Sequence, residues 1–172
     1  MRRQMGGYTL MEVLVAVLVM GVGVLGITGL QMLSLQNNRA ALMRTEAVQQ
    51  AYDMLDRIRA NPGVGAAGVA YGGLDMGDAP PSAQNCVSNN CSPAQMVQFD
   101  QAMWKCSLGI WKTDATCVGL VDDEILRSAQ QQPGLINGDG SVVVDGSSGV
   151  ISVTVQWSDG QQTRSVTIDS QG

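Results

Sequence analysis

Between Val13 and Asn38 the chain carries no charged residue, and from Val13 to Leu30 everything is apolar or glycine except Thr28. Wound as a helix, that shorter stretch would be about 27 Å long, close to the hydrocarbon thickness of a bilayer. One spanning helix is expected. Arg2 and Arg3 precede it, so the positive-inside rule leaves the N-terminus in the cytoplasm and sends everything after the helix across the membrane.

A secretory signal peptide or a plain signal anchor is the ordinary reading of such a segment. Three features count against a cleaved conventional signal: no A-x-A-like site closes the apolar run, the run continues into a helical pattern, and Glu12 sits among apolar residues at its start. A lipoprotein leader is disfavoured because the first cysteine is Cys86. A carboxylate at the centre of a bilayer costs roughly 2.5 kcal/mol or more, so Glu12 calls for a positive partner. The bland alternative is an interfacial Glu12 that reaches lipid headgroups. Gly21, Gly23, Gly26 and Gly29 punctuate the segment. They suit close helix packing in a membrane, and each also weakens the helix by up to about 1 kcal/mol relative to alanine.

The run Met5-Gly6-Gly7-Tyr8-Thr9-Leu10-Met11-Glu12-Val13-Leu14-Val15-Ala16 resembles the class III signal of type IV prepilins. There a short basic leader ends in glycine and is followed by an aromatic residue, an apolar stretch and a glutamate. Tyr8 stands where phenylalanine is usual in that signal, and Met11 where isoleucine is common. The resemblance implies cleavage by a membrane-embedded prepilin peptidase between Gly7 and Tyr8, and methylation of the new Tyr8 amine. It also implies that Glu12 pairs with the N-terminal amine of an adjacent subunit, and that the glycine-rich stretch can unwind within a filament. Two further pieces, Ala51 to Asn61 and Cys91 to Asp100 with Trp104, are similar to the PilV-type minor pilins. The stretch from Cys106 to Cys117 departs from that pattern.

Charges return at Arg39, and Val48, Ala51, Tyr52, Leu55 and Ile58 recur at the period of one buried helix face. Arg44, Asp53 and Arg57 fall on the opposite side, with Asp53 and Arg57 spaced as a solvated i,i+4 pair. Asn61-Pro62-Gly63 should stop the helix. Composition then shifts to Gly, Ala, Ser, Pro and Asn over 63–92, a long surface loop. Ser92-Pro93 supplies an N-cap and a favoured first residue for a short helix over 93–105. Trp104 and Trp111 read as packing residues. Asp122, Asp123 and Glu124 read as the acidic opening of another short helix toward Gln131. Alternation over 141–168, with turns at Asp145 to Gly149 and at Asp159-Gly160, predicts an antiparallel meander of about three strands. The expected class is α+β and pilin-like: leader 1–7, membrane or filament-core helix 8–38, and a head over 39–172. An amphipathic helix 39–60 would cover the apolar face of the C-terminal sheet.

From Gly63 onward four cations stand against 11 acidic residues, a surface that repels phosphate backbones and argues against nucleic-acid binding by the head. The chain has no histidine, which removes Ser-His and Cys-His catalysis, and no nucleophile constellation supports the competing reading of a signal-anchored enzyme. An exported domain with four cysteines is read first as disulfide-bonded. Three pairings are open; proximity favours Cys86 with Cys91 and Cys106 with Cys117. The gap between Cys106 and Cys117 does not suit a four-cysteine zinc site. Asn137-Gly138-Asp139-Gly140-Ser141 is loosely like a calcium loop but lacks the later ligands, so ordinary turn chemistry is expected. No cofactor or metal is called for. The partners implied by the resemblance are major and minor pilins, the prepilin peptidase, the inner membrane before assembly and a pilus-tip adhesin. The head would lie in the periplasm before assembly and at the cell surface afterwards. A minor pseudopilin of a type II secretion system is the near alternative.

Overall fold

The computed structural model describes residues 9–62, 70–126, 135–160 and 162–171. The chain divides into two units, Met1–Ala41 and Leu42–Gly172. Helix α1, Leu10–Ala60, contributes to both. In the first unit every described residue is exposed, including Leu14, Leu18, Leu25 and Leu30. This segment contains a helical stretch apolar enough to cross a membrane.

In the second unit α1 becomes one-sided. Met43, Ala47, Ala51, Met54, Leu55 and Ile58 are buried, whereas Tyr52 is 49% exposed and Val48 only half-buried. Ala51, Leu55 and Ile58 are buried as expected, and Met43, Ala47 and Met54 complete the stripe in place of Val48 and Tyr52. Ala47 and Ala51 form its centre because their small side chains let the backbone approach the sheet, while Met54 supplies the bulk assigned to Tyr52. The helix ends at Ala60, before Pro62, and the Asn61 amide nitrogen donates to Ile58 O at 3.3 Å. Gly63 and residues 64–69 of the expected loop lie outside the described residues; over 70–92 the chain forms turns and one bridge, Leu74 to Val142.

Helix α2, Pro93–Leu108, opens with a reciprocal cap: Ser92 Oγ accepts from Gln95 N, and Gln95 Oε1 accepts from Ser92 N at 2.8 Å. It runs past the expected end at 105. Cys106 and Leu108 are fully buried, and the left-handed Gly109, φ 111°, provides the stop. Helix α3, Ala115–Asp122, is capped by Asp114, whose carboxylate accepts from Thr116 N at 2.8 Å. The expected acidic helix opening at Asp122 is thus corrected. Asp122 closes α3, Asp123 N donates back to Gly119 O, and Glu124 takes a positive φ of 58°. Gln131 lies outside the described residues.

Strands β1 (Ile136–Val144), β2 (Val150–Ser158) and β3 (Thr163–Gln171) form one antiparallel sheet in the order β1-β2-β3. The meander was legible, but β1 begins at Ile136 rather than at 141. Asn137 to Ser141 belongs to the strand, with a register irregularity between Ile136 and Asp139 and a φ of 51° at Asn137. The reason is α2, which lies directly over this stretch. A Cβ on Gly140 would collide with the Trp104 ring, and one on Gly138 with the backbone carbonyl of Leu108.

Two apolar clusters result. One joins α1 to the sheet through Ala51, Leu55, Val142, Val153, Val155 and Trp157, with Trp104 and Leu108 of α2. The other lies on the far side of α2 and is built from Phe99, Ala102, Cys106, Cys117, Leu120 and Leu126. Helix α2 is the wall between them.

Because Trp104 occupies the space of a Gly140 side chain, Gly140→Ala should destabilise the second unit by about 1–3 kcal/mol, the usual cost of overpacking. Gly146→Ala, where an added Cβ meets nothing within 4 Å, should stay near wild type. Thermal unfolding of the two variants checks the difference; equal melting temperatures would show that α2 does not depend on this close approach.

Candidate functional site

Glu12 lies in the first turn of α1, where its amide nitrogen donates to Thr9 O at 3.0 Å. The neighbouring Leu10, Met11, Val13 and Leu14 are all more than half exposed. Among the described residues no ion pair involves Glu12. Thr28, the lone hydroxyl within the apolar run, donates to Leu25 O of its own helix at 2.8 Å. That bond satisfies the hydroxyl without water, as a lipid-facing helix requires. Added Cβ atoms at Gly21, Gly23, Gly26 and Gly29 meet nothing within 4 Å, so in a single chain these glycines are not demanded by local packing. Gly7 and Tyr8, the expected processing junction, lie outside the described residues.

In the second unit, Cys86 is bonded to Cys91 and Cys106 to Cys117, with Cα separations of 5.5 and 5.3 Å. The second bridge ties α2 to α3, and the first closes a turn just before α2. The pairs sit in or against the outer apolar cluster.

Sequence reasoning missed two polar networks. Lys105 is fully buried, and its Nζ donates to Asp139 Oδ1 and to Asp75 O, both at 2.8 Å. Asp139 also accepts from Trp111 Nε1 at 3.2 Å and, through Oδ2, from Gly77 N at 2.7 Å. Asp139 is therefore an internal counter-ion, not a turn residue or a calcium ligand, and Trp111 gives it a hydrogen bond besides packing. The second network ties the end of α1 to α2. Arg57 bonds Asp53 at 2.8 Å and reaches Asp100 at 3.3 Å, so it is more than half of a solvated surface pair. Tyr71 donates to Asp100 Oδ2 at 2.6 Å, and Asn61 donates to Tyr71 Oη and Pro93 O. Burial pushes the Asp100 carboxyl upward, outweighing the opposing pull of Tyr71 and Arg57. Burial, reinforced by Asp100, also raises Tyr71. The sequence hints were thin: one lysine between Trp104 and Cys106, and one tyrosine inside a glycine-rich loop.

Among the described residues no buried side-chain nitrogen or oxygen lacks a partner, and no cluster of three His, Cys, Asp or Glu could hold a metal. Among the described residues, the apolar segment of α1 around Glu12 is exposed on all sides.

Comparison with known families gives two matches. Residues 2–28 match the prokaryotic N-terminal methylation motif, and residues 29–102 match the family described as Type IV pilin Tt1218. No curated protein and no solved structure shows significant similarity to the chain.

Removing one partner of a buried ion pair costs about 3–5 kcal/mol because the other is left charged without compensation. Asp139→Ala should fall in that range by denaturant unfolding, whereas Asp139→Ala combined with Lys105→Met should recover a measurable part of the loss. Asp100 predicts a pH effect with the opposite sign from most paired carboxylates. Its folded pKa is raised, so the stability it contributes is fully present below the unfolded value of about 3.9 and is lost as pH rises through the folded value. The loss caused by Asp100→Asn should therefore be greater near pH 3.5 than near pH 7; a pH-independent difference would overturn the assignment.

Proposed function

The chain is type IV pilin-like over residues 2–102, and from that premise we propose that it is a minor pilin, inserted into a filament through α1 to initiate or modify a type IV pilus. The observation that carries the proposal is the junction of a methylation motif with a helix whose apolar side chains from Leu10 to Leu35 remain exposed. Such a surface is held by lipid before assembly and by neighbouring helices afterwards. Both environments are dry, so helix packing, close approach at the glycines and a partner for Glu12 all become favourable there.

In this reading the leader 1–7 is removed by a prepilin peptidase. The amine of Tyr8 becomes the positive partner of Glu12 in an adjacent subunit, which sets the register of docking. The disulfide-bonded head then stands in the periplasm before assembly and at the cell surface afterwards. The similarity of Ala51 to Asn61 and of Cys91 to Asp100 to PilV-type sequences favours the pilus over a type II secretion pseudopilin. The role is one of assembly contacts, with major and minor pilins and a tip adhesin as partners, and the match to a pilin family supports a structural part.

N-terminal sequencing of membrane-extracted protein should give methylated tyrosine at Tyr8; an intact Met1 end in cells with active peptidase would overturn the processing step. Glu12→Ala should leave membrane insertion unchanged or improved while lowering the share of the protein in sheared filaments. Glu12→Asp should be intermediate, since it keeps the charge but shortens its reach. Normal incorporation of the alanine variant would leave apolar helix packing as sufficient for docking.

A further inference from the structure

The two edges of the sheet are finished differently. Along β1, Val142 N donates to Leu74 O at 2.8 Å and Gly138 O accepts from Ile110 N at 3.1 Å, and the register is irregular near Asp139. That edge is covered and bent. Strand β3 pairs only with β2 among the described residues, in unbroken register from Thr163 to Gln171. It contains no proline and no bulge, and its only charges are Arg164 and Asp169 near its two ends, so its centre lacks the devices that usually blunt an exposed edge. Beneath it the core is incompletely covered, since Val166 and Ile168 are only partly buried whereas Val153 and Val155 opposite them on β2 are fully so.

We propose that this edge pairs with β3 of a second copy of the chain, antiparallel, about a two-fold axis at Thr167 normal to the sheet. The sequence of β3 is self-complementary in that register. All nine residues of the strand find a partner: Thr163 meets Gln171, Arg164 meets Ser170, Ser165 meets Asp169, and Val166 meets Ile168 of the second copy. Within the two strands no like charges face each other, Arg59, which donates to Ser170 Oγ at 2.9 Å, being the cation that would lie beside Arg164 of the second copy, and the half-covered Val166 and Ile168 close over one another twice. A one-residue slip would set core-facing against solvent-facing side chains. A two-residue slip moves the axis to Val166 or Ile168 and leaves strand ends unpaired.

This symmetry reverses the direction of the α1 segment 42–60 between the two copies.

The test places a cysteine on the axis. In Thr167→Cys the two added thiols would lie directly opposite, with Cβ atoms about 5 Å apart, and a short thiol-to-thiol cross-linker should convert the purified full-length chain in detergent to dimer. Thr154→Cys, whose side chain neighbours Thr167 on the central strand, should remain monomeric. Thr167→Lys sets like charges on the axis and should weaken the dimer at least tenfold by sedimentation, with an unchanged melting temperature. Equal cross-linking of the two cysteine variants, or a monomer at all concentrations, would overturn the pairing whatever becomes of the pilin reading.

Discussion

The close seating of α2 on the first half of β1 is the contact on which the second unit depends. It requires Gly138 and Gly140, because any side chain there would enter the Leu108 carbonyl or the Trp104 ring. It also brings Lys105 within 2.8 Å of Asp139. A buried lysine without its carboxylate would carry a heavy desolvation penalty, and the carboxylate without Trp111 and Gly77 would be under-bonded. The ion pair therefore fixes where α2 can sit, and α2 in turn separates the cluster under α1 from the disulfide-bonded one.

The same wall explains how a modest head is closed. Helix α1 covers the sheet along one stripe, and Trp104 Nε1 donates to Gln50 O at 2.8 Å, pinning α2 to that helix. At the other end of the contact, Arg57, Asp100, Tyr71 and Asn61 join the last turn of α1 to α2 and to the start of the loop beyond. Polar bonds thus set the angle of approach, and apolar burial supplies the bulk of the stabilisation.

Features governed by local chemistry could be read directly from the sequence. Ser92-Pro93 marked the start of α2, Pro62 the end of α1, and Asp145 to Gly149 and Asp159-Gly160 the two hairpins. Features governed by contacts distant in sequence could not. The α1 stripe was read correctly at Ala51, Leu55 and Ile58 but not at its flank, where Tyr52 and Met54 are comparably apolar and only the sheet decides which faces it. The region from Asn137 to Ser141 has turn composition yet is strand, because its glycines serve the approach of α2 rather than a change of direction. Asp122 to Glu124 has the composition of a helix start, but Asp114 had already opened the helix that these acids close. At the candidate site, Glu12 and the apolar run stood out from sequence alone since both are local anomalies. Lys105 and Asp139 did not, because a buried pair 34 residues apart leaves no periodic trace.

The two units answer the problem of water in opposite ways. In the second, buried side-chain donors and acceptors find partners within the chain, so its solvent-facing surface can be acidic and polar without weakening the interior. In the first, Thr28 turns its hydroxyl inward to Leu25 while leucines and valines point outward on all sides. A helix apolar all round is stable only where something other than water surrounds it. Between Leu10 and Leu30 Glu12 is the one charged side chain, and a carboxylate is the costliest kind of group to leave without a partner in lipid.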